Sequence, residues 1–183
     1  IAVGAGIGAG ILIGGHILHG SSDIIGAIGW LALKPPYDKF YDQCGCFETH
    51  ASGDGLAKQA QKFLREDKEY NGPLRNIPIE NITSYEVFAE YKNGDPLATR
   101  VIDQAVEMWG MAAANLVSLL NPEMVIFGGG IFGPATPLID RIYEEALKWA
   151  QPISIRQTKF VATQLPKMAG LYGAGGVAIQ SVK

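Results

Sequence analysis

Side chains and bare backbone able to do chemistry gather at three places in this sequence. The opening stretch IAVGAGIGAGILIGG sets Gly4, Gly6, Gly8, Gly10, Gly14 and Gly15 among apolar residues. Alternating glycine leaves one face of the main chain bare, so another backbone or a ligand can come close. Successive N–H groups in such a turn form a concave anion site. Two readings stay open for this stretch: a phosphate-facing hairpin, or a glycine-kinked pair of strands in a tight core. It is neither a dinucleotide fingerprint, which needs a helix directly after its glycines, nor a P-loop, which needs Gly-Lys-Ser or Gly-Lys-Thr. The triplet Gly128-Gly129-Gly130 follows the apolar run Met124–Phe127. Bare backbone at the C-terminal end of a strand is where α/β proteins bind ligands, although a turn demanded only by strand-to-helix packing accounts for it equally. Around Glu48 stand Cys44, Cys46 and His50. Cys46 and His50 are one helical turn apart and Asp42 could complete a metal site, but the spacing is irregular. The alternative is two structural thiols and a surface histidine, with Glu48 as an exposed helix residue.

The elements that must position these groups follow from pattern. Ile11-Leu12-Ile13 reads as a buried strand that stops at the Gly14-Gly15 turn. His16 and His19, just after it, read as exposed, and Ser21-Ser22-Asp23 as a polar turn that caps a short segment. Residues 30–33 read as a short strand, ended by Pro35-Pro36, and 34–45 as an irregular loop. Residues 46–64 look helical with a break at Gly53 and Gly55, and 65–81 form an exposed connection. Thr83-Ser84-Tyr85-Glu86 has capping-box spacing and starts a helix that ends near Asn93-Gly94. Asp95-Pro96 opens the longest helix, with Leu97, Val101, Ala105, Met108, Ala112 and Leu116 as its core stripe, and Asn121-Pro122 ends it. Met124–Phe127 predicts a buried strand, 136–150 a helix, Ile153 and Lys159–Ala162 further strands, and 166–181 a glycine-rich helix. A strand hairpin, helices, then a strand–glycine–helix unit argue for an α/β fold.

With 183 residues, 48% hydrophobic and 18% charged, the chain has the composition of one well-buried domain or one lobe of a larger protein. A net charge of −3 gives no electrostatic support for nucleic-acid binding through this segment. No apolar run spans a membrane without interruption. A disulfide between Cys44 and Cys46 would be strained, so reduced thiols in a cytoplasmic protein are expected. The sequence opens with Ile inside a strand, which carries the expectation of a preceding segment.

Read in order, the motifs resemble the C-terminal lobe of the ROK family, which contains bacterial sugar kinases and sugar-responsive repressors. The matching pieces are the opening Gly-x-Gly-Ile-Gly-Ala-Gly, Gly26-x-x-Gly29, Gly45-Cys46-x-Glu48 with Ala51-Ser52-Gly53, and Asn121-Pro122 leading to Ile126-Phe127-Gly128-Gly129-Gly130. The resemblance implies a lobe of the actin-like ATPase (ribonuclease H-like) fold, a mixed sheet flanked by helices, occupying residues 1–183 with the N-terminal lobe absent. It implies that Gly4, Ala5, Gly6 and Gly8 belong to a phosphate-contacting hairpin and that Gly128, Gly129 and Gly130 back onto the adenosine of ATP. Glu48 matches the family's sugar-binding glutamate, and a carboxylate that accepts from two neighbouring hydroxyls suits a pyranose.

Departures from the family pattern Gly-Glu-x-Gly-His accompany these matches. Ala27 stands where a second sugar-binding glutamate belongs, and Trp30 where the family has a histidine that touches sugar and ligates zinc. Only Cys46 remains of the family's zinc ligands, and a structural zinc site normally has four, so loss of that zinc is expected. Trp30 and Ala27 shape a pocket for a different carbohydrate, or Trp30 fills the space left by the zinc site. Ala5 replaces a threonine often found in the phosphate hairpin. The resemblance implies ATP and Mg²⁺ in the intact protein, a catalytic aspartate in the N-terminal lobe and therefore no catalytic residue in this chain, and a homodimer to which the apolar 97–120 helix contributes. Three functions remain open: the C-terminal lobe of an ATP-dependent sugar kinase, inactive alone; the effector-binding domain of a sugar-responsive repressor; or a degenerate lobe kept for dimerisation, which would bind neither sugar nor nucleotide.

Overall fold

A glycine-tipped hairpin opens the chain, in a computed structural model that describes residues 1–165 and 168–180. Strand β1 (Ala2–Val3) pairs antiparallel with β2 (Ile7–Gly8), in register Ala2–Gly8 and Val3–Ile7. A second hairpin follows at once: β3 (Leu12–Ile13) pairs with β4 (His16–Ile17) around Gly14 and Gly15, at φ +57° and +82°. Glycine at both central positions of a two-residue turn suits the primed turns of tight hairpins. This corrects the buried strand expected at 11–13. The immediate turn folds the segment back on itself, so Leu12 and Ile13 are 66% and 51% exposed. His16 and His19 are exposed as expected.

Residues 30–33 form no strand; Ile28–Trp30 is a 3₁₀ turn, and the expected loop contains a single helical turn, α1 (Tyr41–Cys44). The helix expected over 46–64 is two helices, α2 (Cys46–Ala51) and α3 (Gly53–Glu66). The break falls at Ser52, whose Oγ accepts from Gly55 N at 3.0 Å and caps α3. Gly55 allows close approach there, since a Cβ would lie 2.6 Å from Glu48 O. Helix α4 (Ser84–Lys92) starts with both bonds of the expected capping box. Helix α5 (Pro96–Leu120) starts at Asp95 and ends at Asn121, which adopts a left-handed conformation at φ +45°.

The α5 stripe is buried at Leu97, Val101, Ala105, Met108 and Ala112, whereas Leu116 is half-buried and Val117 completes the face. Most of that stripe is taken up in the chain's own core. Trp109 is fully buried and donates from Nε1 to Ala51 O at 3.0 Å, tying α5 to α2. Strand β5 (Met124–Phe127) runs parallel to β6 (Lys159–Ala162). It is only half-buried: Val125 and Phe127 face the core while Met124 and Ile126 are exposed, the alternation of a pleated strand.

Short 3₁₀ turns at Gly130–Phe132 and Thr136–Leu138 lead into α6 (Ile139–Leu147). Ile153, expected in a strand, lies in α7 (Pro152–Gln157); the Gln151 side chain caps that helix by accepting from Ile153 N and Ser154 N. The glycine-rich segment forms α8 (Ala169–Gln180), and the expected ends Pro166 and Ser181 lie outside the described residues. A parallel bridge between Ala2 and Gly128 joins the first and last strand pairs into a strip ordered β2–β1–β5–β6. The fold is mixed α/β, as expected. Among the described residues no helix is long and apolar enough to cross a membrane.

Asp95 carries a polar knot beneath α5. Its carboxylate accepts from Ala98 N at 2.8 Å and from the Tyr70 hydroxyl at 2.7 Å, with only 6% of the residue exposed. Asp95→Ala removes a cap and strands a buried hydroxyl, an expected loss of about 2–4 kcal/mol in urea unfolding. Asp95→Asn, which keeps an acceptor, is expected to lose less.

Candidate functional site

The hairpin tip faces a cleft of about 550 Å³. Gly4 and Ala5 form one wall, Asp54 and Lys58 of α3 another, and Tyr85 of α4 and Gly130 complete it. The tip is pinned by Gly53 N, at the start of α3, which donates to Gly4 O at 2.7 Å. The cleft's glycines divide by what surrounds them. A Cβ at Gly129 would lie 2.3 Å from Val3 O, and Gly129 sits at φ +88°; a Cβ at Gly128 would press on Thr163 Cγ2 at 3.3 Å. Packing accounts for both. At Gly4 and Gly130 a Cβ would meet nothing within 4 Å, and both residues line the cleft. Their backbones are bare toward open space. Of the expected nucleotide residues, the structure therefore brings Gly4, Ala5 and Gly130 together. Gly8 lies in β2 with a Cβ position 3.8 Å from Gly26 O, and Gly6 turns toward Glu48.

Glu48 stands on α2 on the other side of the hairpin and is half-buried, not a solvent-facing helix residue. Its Oε2 accepts from Ile7 N at 2.6 Å. A Cβ at Gly6 would lie 2.8 Å from that oxygen and one at Gly29 3.0 Å from it, so two glycines make room for the carboxylate. The turn carrying Ala27 and Trp30 is pressed against the start of α2. Gly45 at φ +81° lets Gly29 O and Trp30 Cα approach to 2.5 and 2.6 Å of its Cβ position. Ala27 is exposed and Trp30 is 57% exposed, which excludes Trp30 as a filler of the core.

The candidate metal set does not assemble. Cys44 Sγ lies 3.2 Å from Thr49 Oγ1, Cys46 is buried with Sγ 3.9 Å from Lys34 O, and His50 Nε2 is 2.9 Å from the Tyr41 hydroxyl. Asp42 accepts from the Tyr37 hydroxyl. Cys46 and His50 both approach the Tyr41 hydroxyl, while Cys44 turns to Thr49 and Asp42 to Tyr37, so the four groups do not converge on one point. Among the described residues no three His, Cys, Asp or Glu side chains are arranged to hold a metal ion.

Asp54, Lys58, Gln61, Tyr85 and Phe88 line the cleft without having been singled out from sequence. Each sits on an amphipathic helix, where a cleft-facing polar residue has the same signature as a solvated one. Gln61 carries one orienting contact, Nε2 donating to Ile82 O at 3.2 Å.

Three expected outcomes test this geometry. Gly129→Ala forces a side chain into the Val3 backbone at positive φ and is expected to cost more than the roughly 1–3 kcal/mol of left-handed backbone strain alone. Gly130→Ala enters open space, so its urea midpoint is expected to stay near wild type. Burial, with the Lys34 charge second, lowers the His50 pKa to about 4. The folded state thus favours neutral imidazole, and its advantage is complete above the unfolded pKa near 6.5 and lost as pH falls toward 4. Urea midpoints across that window are expected to fall more steeply for wild type than for His50→Gln.

The sequence profile described as ROK family matches residues 1–181. A glucokinase of Halalkalibacterium halodurans is 32% identical over 182 residues, covering 98% of this chain and 55% of that protein. The crystal structure of a ROK family glucokinase from Streptomyces griseus in complex with glucose and AMPPNP superposes with a TM-score of 0.82 at 27% identity. That alignment covers 98% of this chain and 59% of the other. A ROK family transcriptional regulator, a homolog of the E. coli MLC protein, gives a TM-score of 0.76 at 28% identity, over 88% of this chain and 40% of its own. The chain thus spans little more than half the length of the glucokinases it matches.

Proposed function

The chain belongs to the ROK family, and on that premise we propose that it is the C-terminal lobe, in an actin-like ATPase fold, of an ATP-dependent sugar kinase. The observation that carries this reading is the pair of bare backbones, Gly4 and Gly130, facing one cleft with no packing reason to be glycine. The main-chain N–H of Ala5 fits a phosphate, since peptide dipoles bind anions without a side chain; the Gly4 N–H is spent inside the hairpin on Gly6 O at 2.9 Å, so Gly4 contributes an unobstructed face. Lys58 supplies a positive charge along the same wall, and Asp54 a carboxylate that would hold Mg²⁺, directly or through water. Bound there, Mg²⁺ would neutralise phosphate charge. Ala5 keeps its own N–H available and forgoes a hydroxyl contact.

Sugar binds on the other side of the hairpin. Glu48 offers a carboxylate oxygen to sugar hydroxyls, and the exposed Trp30 ring offers an apolar face, with Ala27 leaving room between them. In this reading the aspartate that takes the proton from the sugar hydroxyl belongs to a preceding N-terminal lobe, so the lobe binds both substrates and transfers nothing alone. The protein acts in the cytoplasm as a homodimer, an assembly that sedimentation of the intact protein reads directly.

A second reading, the effector domain of a sugar-responsive repressor, is favoured by the similarity to the regulator and by Ala5. A thermal-shift screen against a sugar panel, with and without ATP·Mg²⁺, separates the two. A ligand that binds only the native state at 100 times its Kd stabilises it by about 2.7 kcal/mol. The kinase lobe is expected to be stabilised by one class of sugar and by nucleotide, with the sugar response abolished in Glu48→Ala. The nucleotide response is expected to fall at least about tenfold in affinity in Gly4→Val, whose side chain enters the cleft. A sugar response with no nucleotide response selects the sensor, and no response to either contradicts both.

A further inference from the structure

Glu48 touches the hairpin as well as the place proposed for sugar, and this contact has a consequence for nucleotide. The loop between β1 and β2 is held to the helices at two points. Gly53 N, on α3, donates to Gly4 O at 2.7 Å, and Ile7 N donates to Glu48 Oε2, on α2, at 2.6 Å. Both anchors come from the α2–α3 corner, five residues apart across Ser52. The Glu48 bond is charge-assisted, hence short and stronger than a neutral one. The surrounding backbone is shaped to receive it: Cβ atoms at Gly6 and Gly29 would stand 2.8 and 3.0 Å from Oε2. Residues 4 and 5 line the cleft while residues 6 and 7 meet the carboxylate.

We infer that Glu48 is a positioning residue for the nucleotide-facing hairpin, so that the carboxylate that meets the sugar also sets the backbone that meets the phosphates. Oε2 is committed to Ile7, and Oε1 remains for a sugar hydroxyl. Sugar that orders the carboxylate thereby orders the loop, and nucleotide that orders the loop orders the carboxylate. Thermodynamic reciprocity makes the two affinities rise together, typically by about 5- to 150-fold for coupled sites. This rests on the sugar-and-nucleotide reading above and goes beyond it, because a simple sugar ligand would leave nucleotide affinity in the absence of sugar untouched.

The test is ATP·Mg²⁺ affinity by calorimetry with no sugar present, for wild type, Glu48→Ala and Glu48→Gln, together with the Ile7 amide proton shift. Glu48→Ala is expected to weaken nucleotide binding by about fivefold or more and to move the Ile7 amide upfield as its acceptor is lost. Glu48→Gln keeps a carbonyl oxygen for Ile7 N–H, so nucleotide affinity is expected to recover to near wild type while sugar affinity stays low. A merely structural role would not produce that split. Gly6→Ala, which drives the carboxylate off Ile7 with Glu48 still present, is expected to reproduce the nucleotide loss and serves if Glu48→Ala fails to fold. Nucleotide binding by wild type that is unchanged in Glu48→Ala, or in Gly6→Ala, overturns this inference alone. Wild type that binds no nucleotide overturns the functional reading and this inference with it.

Discussion

Two backbone hydrogen bonds fasten the first residues of the chain to its last third: Val3 N donates to Gly128 O at 2.8 Å, and Gly128 N donates to Ile1 O at 2.9 Å. They form because Gly129, at φ +88°, lets the Val3 main chain come within 2.3 Å of where a Cβ would stand. Through this contact two glycine loops more than a hundred residues apart share one cleft. Phe127, Phe132 and Trp109 back the junction, with ring centroids 4.9 and 5.3 Å apart in successive pairs. A buried aromatic stack on one side and an obligatory glycine on the other leave the strands little freedom to slide.

The hairpin at this junction has a different neighbour on each side. Toward the cleft it shows unobstructed backbone, and toward α2 it meets a single carboxylate. Glycine therefore does three distinct things around this junction. Gly129 permits close strand packing, Gly6 makes room for Glu48, and Gly4 faces open space. Only the last has no packing neighbour to account for it.

How much of this was legible in sequence depended on whether the signal was local. The capping box at Thr83 and Glu86, the Asp95-Pro96 helix start and the stripe of α5 are fixed by contacts within a few residues, and they appear where expected. Residues 11–13 and 30–33 failed because short apolar runs carry no period that separates strand from turn. Leu12 and Ile13 return through Gly14-Gly15 before reaching the core, and Trp30 ends a 3₁₀ turn. The Ile153 misreading has a local cause that was available, since Gln151-Pro152 is a helix start. The metal trio shared a stretch of sequence but not a direction. Glu48 was singled out by family motif alone, and its bond to Ile7 spans 41 residues, beyond any local pattern. Lys58 and Gln61 gave no signal because the cleft that defines their role is built from four separated segments.

In the proposed reading, the cleft between residues 4–5 and 130 receives nucleotide phosphates on bare backbone. A crystal structure of the chain with a non-hydrolysable ATP analogue and Mg²⁺ tests it most directly. Phosphate oxygens are expected within hydrogen-bonding distance of the Ala5 amide and against the bare face of Gly4, with the nucleoside extending past Gly130 between α3 and α4. Nucleotide bound elsewhere on the chain, or a cleft that stays empty at saturating analogue, would contradict it.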